Sequence, residues 1–119
     1  MINSSIRLIT DQQISEICQT IVEQFQPEKI ILFGSYAYGQ PHEWSDLDLL
    51  IIMDFEERAI DLAVELWQAT KPEFPVDFIV KTSYEIRWRY QQFDPLVRVA
   101  IDQGKVLYDA SSSRVAKAI

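Results

Sequence analysis

The feature that most restricts the fold of this chain is a pair of aspartates, Asp46 and Asp48, which lead into an apolar run from Leu49 to Met53. Side chains at positions i and i+2 of a strand point to the same face, so these carboxylates project together. A strand that is apolar on both faces is buried in a sheet. Buried charge needs a partner, and oxygen ligands that leave room for water and phosphate suit Mg²⁺. The pattern therefore predicts a metal site at one end of a central strand.

A Gly-Ser pair precedes these acids by ten residues and follows a predicted strand, Lys29–Phe33. Gly34 permits a sharp turn and lets a ligand approach the backbone closely. Ser35 supplies a hydroxyl and could cap a short helical segment over residues 36–38, whose first N–H groups would attract an anion. An ordinary strand turn with a serine cap could give the same residues, and a lone Asp-x-Asp is often a surface pair. The two motifs together, at this spacing, indicate a phosphate site beside a metal site.

A third acid, Asp77, lies inside another apolar segment, Pro75–Val80. In a strand, Asp77 and Ile79 share the face opposite to Val76 and Val80. If this strand pairs with the strand of Asp46 and Asp48, three carboxylates converge, an arrangement suited to two-metal phosphoryl or nucleotidyl transfer. The alternative is an edge-strand aspartate that bonds to a nearby lysine or to backbone.

These residues resemble the signature of the minimal nucleotidyltransferases (MNT) in the DNA-polymerase-β-like superfamily. The similarity extends from about Lys29 to Tyr108 and is most specific in two runs: Phe33-Gly34-Ser35-Tyr36-Ala37-Tyr38-Gly39 and Ser45-Asp46-Leu47-Asp48-Leu49. Within that superfamily, the chain resembles the MntA-like antitoxins of HEPN/MNT toxin–antitoxin systems. The resemblance implies an α/β (α+β) fold, with a small mixed β-sheet and helices mainly on one face.

The resemblance also implies roles for five residues. It assigns nucleotide binding to Gly34 and Ser35, and metal binding and catalysis to Asp46, Asp48 and Asp77. The implied cofactor is Mg²⁺, as two ions, and the implied substrate is ATP.

One position departs from the family pattern, because Tyr38 stands where relatives commonly have arginine. A tyrosine can stack or donate one hydrogen bond, but it does not replace a guanidinium fork. The resemblance implies transfer of AMP to a hydroxyl, expected to be a tyrosine, of a partner HEPN toxin. The small size supports a separate acceptor protein, since there is no room for an acceptor domain. Two alternatives stay open: an antitoxin that neutralises the toxin by binding alone, and transfer to a small molecule such as an antibiotic.

Composition restricts the remaining function classes. The chain has 119 residues and a net charge of −7, which argues against broad direct binding of nucleic acid and suits a basic protein partner. No apolar run approaches the roughly 20 residues of a membrane span, and we expect no signal peptide. The single Cys18 excludes an internal disulfide and fits a reducing cytoplasm; its place on an apolar helix face predicts a core residue.

The order of elements predicts one minimal nucleotidyltransferase domain over residues 1–110 and a flexible C-terminal tail over 111–119. Apolar periodicity and capping residues predict helices, in order, from Thr10 or Asp11 to before Pro27, over Glu56–Thr70, from Thr82 to about Phe93, and from Asp94 to Gly104, with a last strand at Lys105–Tyr108. In the connection before Asp46, we expect His42 to be a solvated loop residue, and Trp44 could either cover the nucleotide base or pack. We expect the run Arg87–Tyr90 to be part core and part partner surface.

Overall fold

The computed structural model describes residues 8–112, which form a four-stranded sheet and five helices. The strands are β1 (Lys29–Phe33), β2 (Leu47–Ile52), β3 (Val76–Lys81) and β4 (Lys105–Asp109). The helices are α1 (Asp11–Phe25), α2 (Ser35–Tyr38), α3 (Ala59–Thr70), α4 (Ser83–Gln91) and α5 (Pro95–Gln103). The strands and helices predicted from sequence are therefore present in the predicted order.

The sheet is mixed and has the order β3-β2-β1-β4. Strand β1 runs antiparallel to both β2 and β4, whereas β2 and β3 are parallel and are joined through α3. In this register Asp48 is paired directly with Asp77 on one side and with Phe33 on the other. The central position of β2 explains why its residues are apolar on both faces.

Two hydrophobic cores lie on opposite faces of the sheet. One face of β2, with Leu49, packs under α1 and α3, and the other face, with Leu50, packs under α4 and α5. The α/β fold with a mixed sheet is thus confirmed. The expectation that helices lie mainly on one face holds only for the two longest helices, because α4 and α5 cover the second face with Ile86, Val97 and Ala100.

Local capping explains where several helices begin. The Thr10 side chain accepts a hydrogen bond from the Gln13 N–H at 3.1 Å, and the Gln13 side chain bonds back to the Thr10 N–H, which completes a capping box. At α4 only half of the predicted box forms: Thr82 accepts from the Glu85 N–H, but the Glu85 carboxylate binds Arg89 instead.

Two predicted helix boundaries shift. Helix α3 begins at Ala59 rather than Glu56, since Arg58 is still extended at the cap position. Helix α4 ends at Gln91 rather than near Phe93, because Phe93 adopts a left-handed conformation with φ of 62° that cannot continue a helix.

Cys18 is buried in the larger core, as predicted, and burial raises the pKa of its thiol to about 11. Of the predicted tail, Ser111 and Ser112 are described and bond to Asp109, while residues 113–119 lie outside the described residues, as do residues 1–7. None of the helices within residues 8–112 has both the length and the apolar character that crossing a membrane requires.

Candidate active site

The structure brings the three predicted acids together at the N-terminal ends of the neighbouring strands β2 and β3. Asp48 and Asp77 are neighbours across the parallel β2–β3 pair, and Asp46 lies just before β2. The Leu47 N–H donates to the Pro75 carbonyl at 3.0 Å, which holds the starts of the two strands together. Of the two interpretations of Asp77, an isolated edge-strand acid or a member of a carboxylate cluster, the register supports the second.

Asp48 has the most perturbed environment of the three. It is partly buried, whereas Asp46 and Asp77 are exposed. Burial, followed by the negative charges of Asp77 and Asp46, raises the pKa of Asp48 to about 6. Among residues 8–112, no lysine or arginine forms an ion pair with any of the three acids, so the site favours a cation or a proton.

The donor chemistry fits Mg²⁺, although the acids do not form a ready-made cage. Within residues 8–112, no group of three acidic, histidine or cysteine side chains is arranged to hold one ion. Mg²⁺ is often held by only one or two carboxylates, with water and phosphate completing its coordination. Asp46, Asp48 and Asp77 are the side chains that would hold such ions at this site.

Gly34 lies directly against Asp48. Its backbone has φ of 77° and ψ of −159°, a conformation that side chains with a Cβ rarely adopt. A Cβ built on Gly34 would overlap the Asp48 Oδ2 and would lie 3.0 Å from its Cγ. The missing side chain therefore lets the Asp48 carboxylate lie directly against the Gly34 backbone, which brings the Gly-Ser turn next to this acid.

The structure corrects one expectation about Ser35. Helix α2 begins at Ser35 itself, and Gly34 is the N-cap, so the serine hydroxyl does not cap the segment. The Gly34 carbonyl instead accepts hydrogen bonds from the N–H groups of Ala37 and Tyr38 at 3.0 and 3.2 Å. Within the described part of the chain the Ser35 hydroxyl makes no hydrogen bond, and the Ser35 and Tyr36 N–H groups precede the first helical bonds. Only these three donors remain available to a phosphate.

A fixed turn connects α2 to the acids. The His42 N–H donates to the Ser45 Oγ at 2.9 Å, the Ser45 N–H donates back to the His42 carbonyl, and the Trp44 N–H donates to the His42 Nδ1 at 3.2 Å. His42 is exposed, as predicted for a loop residue. Trp44 is 79% exposed, so it does not pack in a core. Tyr38, at the end of α2, is also exposed.

Sequence reasoning missed one residue that positions the Gly-Ser segment. The hydroxyl of Tyr36 accepts a hydrogen bond from the Ile9 N–H at 3.0 Å, and its ring packs against the larger core. This contact ties α2 to the segment before α1. The available signal was an aromatic residue directly after Ser35, but only the tertiary contact reveals its partner.

Comparison with known proteins identifies the class of the chain. Residues 12–107 match the family model of the nucleotidyltransferase domain. The chain belongs to that family and is a nucleotidyltransferase.

Individual relatives agree with this class. The chain is 36% identical over 86 residues to "Putative protein adenylyltransferase MJ0604" of Methanocaldococcus jannaschii, which covers 68% of this chain and 78% of that protein. A solved toxin–antitoxin structure with AMP-PNP has a TM-score of 0.56 and 24% identity, over 87% of this chain and 78% of the other. A solved "putative nucleotidyltransferase" of Sulfolobus solfataricus has a TM-score of 0.57 and 18% identity, over 84% of this chain and 80% of the other. At these identities the two solved structures establish a shared fold.

Proposed function

We propose that this chain is the antitoxin of a toxin–antitoxin pair, and that it transfers AMP from ATP to a tyrosine hydroxyl of a HEPN-type toxin in the cytoplasm. The observation that carries the proposal is the direct pairing of Asp48 with Asp77, with the Gly-Ser turn held against Asp48 at Gly34. The adenylyltransferase name of the archaeal relative and the toxin–antitoxin structures that share the fold support the choice of donor and partner.

In this proposal Asp46 and Asp48 hold one Mg²⁺, and Asp77 helps to hold a second. Bound Mg²⁺ would neutralise the triphosphate and favour ionisation of the incoming hydroxyl. Gly34 lets the triphosphate approach the backbone, and the Ser35 hydroxyl donates a hydrogen bond to a phosphate oxygen. Asp77 accepts the proton of the acceptor hydroxyl.

The transfer itself exchanges one phosphorus–oxygen bond for another. The acceptor oxygen forms a bond to the α-phosphorus, the bond from that phosphorus to the β-phosphate oxygen breaks, and pyrophosphate leaves. The chain contributes by holding the reacting groups in line and by stabilising charge.

A second candidate is an antitoxin that blocks its toxin by contact alone. Tyr38 in the position where relatives commonly have arginine favours this alternative, since a tyrosine cannot supply the permanent positive charge or the bidentate hydrogen bonds of arginine. The acids argue against it, because a partly buried Asp48 beside two other carboxylates lowers stability, which pure contact would not require.

Intact-mass spectrometry separates the two candidates. The chain is mixed with Mg²⁺-ATP and the protein encoded by its neighbouring gene. We expect that protein to gain the mass of one AMP, and Asp46→Ala or Asp48→Ala to abolish the gain. Asp54→Ala is the matched control, because Asp54 is an exposed aspartate beyond the opposite end of β2. Neutralisation of the toxin without any mass gain, and unchanged by the Asp46 and Asp48 substitutions, would reject catalysis.

A further inference from the structure

Helix α3 is apolar on two sides. Its inner side chains, Leu62 and Leu66, are buried in the larger core. Its outer side carries Ile60, Val64 and Trp67, which are 63%, 48% and 52% exposed. Their spacing of four and three residues places them in one line along the helix, here called the α3 outer stripe. A surface helix normally has polar residues on this side, so the stripe indicates an interaction surface.

Acidic residues flank the α3 outer stripe. Residues 56–65 contain four acids and one arginine, which gives a net charge of −3 out of −7 for the whole chain. Arg58 binds Asp61 at 2.9 Å. The pKa of Glu65 is raised, first by partial desolvation and then by its closeness to Glu57 and Asp61. The excess negative charge beside the stripe is therefore concentrated and poorly compensated.

This charge selects among the surfaces that could cover the stripe. A second copy docked on the same stripe would place two acidic flanks against each other, and an anionic lipid surface or a nucleic acid would also be repelled. A protein surface that combines an apolar patch with lysines and arginines would bury the stripe and neutralise its flanks. We infer that the α3 outer stripe is the docking surface for a basic protein partner. The inference rests on the proposed function in that it takes this partner to be the toxin.

The stripe and the acids lie on different faces of the sheet. Helix α3 packs on the face of β2 that carries Leu49, whereas Asp48 shares its face with Leu50. The connection after α3 leads directly into β3 and Asp77. The C-terminal end of the helix, with Trp67, therefore lies toward the end of the sheet that carries the acids. The stripe contains none of the three acids, so a partner docked on it can present its acceptor hydroxyl to the site through a separate contact, and binding and AMP transfer can be lost separately.

Two tryptophans of equal exposure provide a matched test. Trp67 is 52% exposed on α3 and Trp88 is 51% exposed on α4. The dissociation constant for the protein of the neighbouring gene is measured by calorimetry without ATP. We expect Trp67→Ala to weaken binding by about thirtyfold or more, as at interface tryptophans elsewhere, and Trp88→Ala to change it less than about twofold. Glu65→Lys should also weaken binding, and the loss of affinity should be larger at low salt than at high salt.

Each outcome decides the inference. Equal loss in both tryptophan variants, or no loss in Trp67→Ala, would overturn it, provided that circular dichroism shows the variants folded. Light scattering that reveals a dimer of this chain, dispersed by Trp67→Ala, would assign the stripe to a second copy instead. Binding that depends on Trp67 while no AMP is transferred would reject the proposed chemistry and retain the docking surface. If Trp67→Ala still transfers AMP and binds with unchanged affinity, the docking surface is rejected and the proposed chemistry is retained.

Discussion

Two acidic regions of this molecule differ in how their charges are compensated. At the junction of α4 and α5, Arg89 donates to Glu85 at 2.7 Å and to Asp94 at 3.0 Å. Asp94 also accepts a hydrogen bond from the Val97 N–H, and this bond and the Arg89 contact hold the pKa of Asp94 below its usual range. At the β2–β3 edge, the pKa of Asp48 is instead raised to about 6 by burial and by neighbouring acids.

The difference shows which acids stabilise the fold and which are kept despite their cost. The ionised carboxylates at the junction stabilise the fold, because Arg89 and the Val97 N–H donate hydrogen bonds to them. The ionised carboxylate of Asp48 destabilises it, since nothing within residues 8–112 pairs with it. Ionisable side chains whose arrangement lowers the stability of the fold are characteristic of functional sites.

The largest change should come from adding a side chain at Gly34, where the backbone lies against Asp48. Gly34→Ala places a Cβ into the Asp48 carboxylate and forces alanine to adopt φ of 77°. We expect the free energy of unfolding to fall by about 3 kcal/mol, the sum of steric overlap and backbone strain. Urea denaturation measures this change. Gly39→Ala, where φ is −103° and the nearest described contact is 3.0 Å, should cost less. Equal losses in the two variants would show that the Gly34 geometry is not special.

A smaller loss should follow at the compensated junction. Asp94 caps α5 and binds Arg89, so Asp94→Ala should lower the free energy of unfolding by about 1–2 kcal/mol. Asp94→Asn retains a good capping side chain and loses only the charge pair, so its loss should be less than half as large. Thermal denaturation of both variants tests this order. If the asparagine variant is as unstable as the alanine variant, the charge pair rather than the cap dominates.

The smallest effect should have the opposite sign. Without metal, Asp48→Asn should raise the free energy of unfolding by about 1 kcal/mol at pH 8, after allowance for solvent screening of a partly exposed group. The folded pKa of about 6 lies above the unfolded value near 4, so the folded state binds more protons between these values. Wild-type stability therefore falls as pH rises from about 4 to 6, and the variant does not share this fall.

Urea denaturation in EDTA at pH 4 and pH 8 measures the gain, which should be absent at pH 4. Addition of Mg²⁺ at pH 8 should narrow the difference, because the ion stabilises the wild type by binding its folded state. A variant that is less stable than the wild type at pH 8 in EDTA would contradict the account of Asp48 as an uncompensated charge.

Local patterns made much of this architecture predictable. Thr10, Thr82 and Asp94 mark helix starts through short-range hydrogen bonds, and the run Leu49–Met53 marks a central strand through its lack of polar residues. The predicted start of α3 and the predicted end of α4 were less accurate, because the conformations of Arg58 and Phe93 cannot be inferred from their residue types. The Ser35 cap was wrong for a related reason, since Gly34 could take the cap position without a side chain.

The sequence alone determined which residues are the candidates for the chemistry: Asp46, Asp48 and Asp77 as oxygen ligands, and Gly34 and Ser35 as a phosphate-binding turn. Residue type, near-neighbour spacing and the family resemblance are sufficient to propose these roles. Only the tertiary structure decided that Asp48 faces Asp77, that Gly34 lies against Asp48, and that Tyr36 is tied to Ile9. Each of these contacts joins distant segments, and their register depends on how both cores pack against the sheet rather than on any local signal.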